Sequence, residues 1–136
     1  MAQTTRLVRD DDYEEMASSF QCHQTAVLDG ALQEHGISDA DVRRKVCESF
    51  LFQMGVFHDQ GWLKPSPDGG PVFPLLCFTN RFLNTDTQVD GLGDVYAPSE
   101  EFSFHEYAFG NAALLYENDP NAVVETGVFE GEEEDT

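Results

Sequence analysis

Two apolar stripes at helical spacing, separated by a glycine stop, constrain this chain more than any other feature of its sequence. Met16, Phe20, His23 and Val27 recur at steps of four, three and four, the pattern of one face of an amphipathic helix. Asp10, Asp11 and Asp12 just upstream put carboxylates where a helix start has free backbone donors and a positive dipole end. Ala31 continues the stripe past Gly30, and Gly36 supplies a left-handed stop. Ser38, with Asp41 three residues on, resembles a capping box, so a second helix is expected over 39–57. Its stripe is Val42, Val46, Phe50, Met54 and Phe57, while Arg44, Lys45 and Glu48 fall on another face. The expected unit is an αα-hairpin with both stripes turned inward, and the second helix, enriched by Leu51, Phe52 and Val56, at its centre.

From Gly61 to Pro98 the helical period disappears and five of the six prolines occur. Pro67, Asp68, Gly69 and Gly70 read as a turn between Trp62–Leu63 and the apolar run Val72 to Phe78, which predicts a short hairpin at a sheet edge. A polar loop over 80–93 and a strand near Asp94 to Ala97 follow. A third helix is predicted after Pro98, capped by Ser99 with Glu100 and Glu101 in its first turn. Its seam would be Phe102, His105, Phe109, Ala112 and Tyr116. The fold class is therefore α+β: a helical hairpin, a third helix packed across it, and a small antiparallel hairpin or short sheet. Residues 1–116 are expected to form one globular domain, with 117–136 a flexible acidic tail of eight acids and no base.

Charge is the second constraint. The 136 residues carry 26 acids against seven Lys and Arg, a formal net charge of −19, so self-repulsion opposes compaction. Three bases in succession, Arg43, Arg44 and Lys45, are too few in such a chain to make a nucleic-acid surface. Cys22, Cys47 and Cys77 are an odd number without C-x-x-C spacing, which argues against a disulfide framework and for a reducing compartment. No apolar run approaches the ~18 residues that span a bilayer. The expected setting is cytoplasmic, or within a virion, with homo-oligomers compatible with the composition.

Few residues form a chemical constellation. His23, His58 and His105 fall on or beside the predicted seams, and three imidazoles meeting inside a bundle could hold a transition-metal ion with a hydrolytic water. No two of them form an H-x-x-x-H pair, so satisfied structural histidines are the stronger reading and no cofactor is the primary expectation. Asp86, Gln88, Asp90 and Gly91 open like a calcium loop, but Ala97 stands where a bidentate Glu is needed. The three cysteines lack the electropositive setting that a thiolate nucleophile requires, and no catalytic residue is assigned.

These features leave three functional classes. The first is a small acidic binding protein that engages a basic protein surface, such as the phosphate-binding groove of a nucleic-acid-processing enzyme. Immunity or anti-defence inhibitors that mimic nucleic-acid charge act in this way, and Asp10, Asp11, Asp12, Glu14 and Glu15, with Glu100 and Glu101, would carry that surface. The second is a structural or assembly protein, cellular or viral, whose acidity keeps it hydrated in concentrated salt. The third is the metal-dependent hydrolase. The first is preferred, which makes a non-enzymatic role the primary expectation.

Overall fold

A computed structural model describes residues 4–129, so the acidic run from Glu130 to Thr136 lies outside the described residues. The chain is α+β, with three helices on a three-stranded mixed sheet. β1 is Arg6–Val8, α1 Asp12–Glu34, α2 Ala40–Gln60, β2 Phe78–Thr79, β3 Asp94–Tyr96 and α3 Phe104–Tyr116. Single 3-10 turns occur at Val89–Gly91 and Pro120–Ala122. β3 is the central strand: β1 pairs with it in parallel, Leu7 opposite Val95, and β2 in antiparallel fashion, Phe78 opposite Tyr96. The hairpin expected over 62–78 is reduced to one antiparallel bridge, Leu63 with Val72, around the Ser66–Gly69 turn. Prolines at 71 and 74 limit the pairing there, because each removes a backbone donor.

The α1–α2 connection follows the sequence closely. Gly36 sits at φ +95°, the left-handed region open to glycine, and the amides of Gly36 and Ile37 close the end of α1 onto Gln33 and Leu32 carbonyls. The cap of α2 is Asp39 and not Ser38: its carboxylate accepts from the Asp41 amide at 2.9 Å and from Val42. The third helix begins five residues after the predicted cap. Residues 99–103 stay extended or bent, and Ser103 occupies the cap position.

The stripes do not face inward. On α1 the fully buried positions are Tyr13, Ala17, Gln21 and Thr25, joined by Asp29, at steps of four. His23 and Val27 are exposed, and Met16 and Phe20 half-buried. On α2 the buried positions are Cys47, Leu51 and Gly55, while Val42, Val46 and Phe50 stand 44%, 39% and 42% exposed. On α3 Phe104, Ala108 and Ala112 are buried, with Phe102 just ahead of it, so of the expected seam Phe102 and Ala112 face inward and Phe109 is exposed. Close approach explains the choice: a Cβ on Gly55 would lie 2.7 Å from the His105 backbone nitrogen, so α2 and α3 cross with backbones nearly touching. Small residues make that crossing, and bulky ones are turned out.

Beside the buried Leu51, Ala108 and Ala112, a polar ladder runs through the bundle. The Gln21 amide donates to the Phe104 carbonyl at 3.0 Å and accepts from Asn111 at 2.7 Å. One turn on, the Thr25 hydroxyl donates to the Gln21 carbonyl. Below it Asp29 accepts from Arg43 at 2.7 Å, Tyr116 at 2.6 Å and Gln33 at 2.7 Å. Arg43 also donates to the Ile37 and Ser38 carbonyls, which locks the hairpin turn. Burial pushes the Asp29 carboxyl up, but hydrogen bonds from Tyr116, Arg43 and Gln33 outweigh it and leave the pKa lowered. The Tyr116 phenol is pushed far up by burial and by its bond to Asp29.

The larger apolar cluster lies at the sheet end, and a smaller one of Leu51, Ala108 and Ala112 lies between α2 and α3. Tyr13 is fully buried against Phe78, Phe102 and Phe104, with ring centroids 5.5, 5.8 and 6.2 Å away, and its hydroxyl donates to the Leu76 carbonyl. Tilted and edge-on pairs of this kind are worth about 0.5–1.5 kcal/mol each beyond area burial. Cys22 and Cys47 are buried, Cys77 is half-buried, and all three cysteines are free.

Candidate functional site

Two features of the sheet end concentrate charged and polar side chains. In the first, the acidic starts of α1 and α3 are drawn together. The Arg9 Nε donates to the Pro98 carbonyl at 2.6 Å and the Ala97 amide to Val8, which ties the segment before α1 to the segment before α3. Asp10 spends its carboxylate locally, accepting from the Asp12 amide at 3.0 Å, while Asp11, Asp12 and Glu15 remain exposed. Across the gap the Tyr107 hydroxyl donates to Glu14 Oε1 at 3.4 Å. Tyr107 stands over the Phe102 ring, centroids 4.6 Å apart. Its pKa is raised first by the Glu14 carboxylate, then by burial and the bond to Glu14, and further by Glu106 and Glu101. Glu14 bonds this phenol, and the charges of Glu106 and Glu101 on the same helix start act on it in the same direction. Of the predicted surface residues, Glu14 reaches across to α3 through Tyr107, and Glu101 stands exposed just ahead of α3. Glu106 and Tyr107 were not expected, and the alternation of Phe102 and Phe104 was the one signal that the helix starts late enough to place them in its first turn.

In the second, Asp59 at the end of α2 caps α3. Its carboxylate accepts from the amides of Phe104 and His105, both at 2.9 Å, from the Ser103 hydroxyl at 3.0 Å, and faces His105 Nδ1 at 2.6 Å. Burial pushes the Asp59 carboxyl up, yet the His105 and Phe104 amides, the His105 ring and the Ser103 hydroxyl together hold it below its usual range. Ser, His and Asp in contact invite a nucleophilic reading, but the connectivity is wrong for one. Ser103 and Asp59 both meet Nδ1, with Ser103 2.9 Å away, whereas a relay needs the hydroxyl on Nε2 and the carboxylate on Nδ1. The arrangement is a helix cap supplied from a neighbouring helix.

The three histidines occupy separate places. His23 is exposed on α1, His58 packs its ring 5.1 Å from Phe104, and His105 is held by Asp59 and edges onto Phe52. Burial lowers the His58 pKa, against the pull of neighbouring Asp59. Among the described residues no group of three or more His, Cys, Asp or Glu is placed to hold a metal ion. The cysteines are no better suited to chemistry, since burial raises the pKa of Cys22, Cys47 and Cys77 alike. The D-x-Q-x-D-G stretch forms a turn and a 3-10 segment, held by Thr5, whose hydroxyl bonds the Val89 carbonyl and accepts from the Leu92 amide.

A cavity of about 390 Å³ lies beside the cap, between Arg9, His58, Phe73, Leu75 and Ser99. Ser99, the predicted helix cap, has the one buried side-chain polar atom without a partner among the described residues. No helix of the described residues is long and apolar enough to cross a membrane. Comparison with protein-family models, with curated proteins and with solved structures finds no match to this chain.

Proposed function

We propose that the protein is a small acidic binding module whose working surface is the joined start of α1 and α3. The observation that carries this reading is the bond from Tyr107 to Glu14, which joins the start of α1 to the start of α3 beside the exposed carboxylates of Asp11, Asp12, Glu15, Glu101 and Glu106. Carboxylates held by two helix ends tied through Arg9 and Pro98 keep their spacing without a partner, so little side-chain order is lost on docking. Such a row suits a basic protein surface, and a groove built for a nucleic-acid backbone presents Lys and Arg of that kind. An inhibitory or immunity role follows, with a partner whose nucleic-acid substrate competes for the same groove. Three free thiols support a reducing compartment, cytoplasmic or inside a virion.

The test is capture of basic partners on immobilised protein at about 0.1 M salt, comparing wild type with Glu14→Lys, Glu101→Lys and Glu106→Lys combined. A partner held by wild type, displaced by duplex DNA and lost from the triple variant supports the reading. Equal capture by both proteins defeats it. The competing reading, an assembly protein hydrated by its acids in concentrated salt, is favoured by exposed acids beyond the cluster, such as Glu34 at the far end of α1. It requires thermal stability to climb steeply through molar KCl.

A further inference from the structure

The outer stripe of α2 is apolar and free of acids, exposed at Val42, Val46 and Phe50 and half-buried at Met54 and Phe57, and nothing in the described chain covers its exposed part. Val42, Val46, Phe50, Met54 and Phe57 fall on one side of the helix, with Lys45, Ser49 and Gln53 interleaved. Lys45, Val46, Ser49, Phe50, Gln53 and Met54 line a shallow groove there of about 550 Å³. The helix does carry acids, but Asp41, Glu48 and Asp59 come round to the same angle on a different flank. There Glu48 pairs with Arg44 at 3.0 Å and Asp59 caps α3. In a chain of −19, a strip of helix about 22 Å long without one carboxylate is where two copies can approach with least repulsion.

We infer that this stripe is the contact of a homodimer, formed by two α2 helices packed antiparallel about a twofold axis near Phe50. The occupant is a second copy because the stripe reads almost alike in both directions. Val46 and Met54 lie four residues to either side of Phe50, and Val42 and Phe57 eight and seven. An isologous contact needs that self-complementarity, with Val46 of each chain meeting Met54 of the other.

Sedimentation velocity from about 1 to 200 μM protein, at about 0.1 and 1 M KCl, tests the inference. A mass near twice 15.2 kDa is expected, with dissociation constants that fall as salt screens the repulsion. Val46→Asp and Phe50→Asp should each weaken association at least about thirtyfold while leaving the far-ultraviolet circular dichroism unchanged. Should those variants misfold, Phe50→Cys replaces them: thiols at the axis should join two chains on mild oxidation, and Glu15→Cys should not. A monomer throughout both salt series, a dimer indifferent to both Asp variants, or no cross-link from Phe50→Cys would overturn the assignment.

Discussion

Removing the Asp59 carboxylate should unlatch α3 from α2, and Asp59→Ala is the perturbation that shows it. Four donors lose their acceptor: the amides of Phe104 and His105, the Ser103 hydroxyl and the His105 ring. Loss of a helix cap costs about 1 kcal/mol, and hydrogen bonds to an ionised group about 1.5–3 kcal/mol. Ser103, already at the cap position, can turn its hydroxyl to a first-turn amide and recover part of this, which sets the expected loss at about 3 kcal/mol. For a domain of this length that lowers Tm by about 11 °C. Urea unfolding from pH 7 down to pH 3 gives a second signature. Asp59 has its pKa lowered in the fold, so its contribution is complete above the unfolded carboxylate value of about 3.9 and fades as pH falls through the folded one. Wild type and Asp59→Ala should therefore differ fully at pH 7 and converge in acid. A loss under about 1 kcal/mol at pH 7, or a difference that does not narrow by pH 3, refutes the capping account.

Four further outcomes follow from the same geometry. Arg43→Met leaves the Asp29 carboxylate, 12% exposed, without its cation and should cost about 3 kcal/mol in chemical denaturation. Gly55→Ala drives a methyl into the His105 and Phe104 backbone and should destabilise by at least about 2 kcal/mol, although alanine is the better helix former. The buried His58 imidazole, its pKa lowered, contributes stability above its unfolded value of about 6.5 that is lost as pH falls through the folded value; His58→Leu should flatten this part of the pH profile. In a timed alkylation at neutral pH, read by mass spectrometry, half-buried Cys77 should be modified before Cys22 and Cys47.

The helices were legible in the sequence because glycine chemistry and spacing are local. Gly36 ends α1 as expected, and a side-chain oxygen caps α2, though the Asp39 carboxylate supplies it in place of the Ser38 hydroxyl. Which face each helix buries was not legible. An apolar stripe normally turns inward, but here backbone approach at Gly55 and the bonds of Gln21, Thr25 and Asp29 decide the rotation, and they join residues far apart in sequence. β1 escaped notice because three residues with an arginine first carry almost no pattern, and it exists only because β3 offers an edge. At the acidic surface Glu14 and Glu101 were anticipated from their charge alone. Tyr107, which bonds Glu14 there, needed the register of α3, which Asp59 sets from 45 residues upstream.

The polar ladder has a consequence for the order in which the chain can fold during synthesis. Asp29 and Arg43 are 14 residues apart and can pair as soon as α2 emerges, whereas Gln21 meets its Asn111 partner 90 residues later. Until α3 arrives, the nascent hairpin holds its internal amides open to water and the Leu51 and Gly55 face of α2, which α3 will cover, open to other chains. Long-range closure of this kind is slow. Production should therefore depend on how quickly the last third of the chain follows the first, and slowing translation between codons 60 and 110 should divert material into aggregates without any change in the sequence of the product.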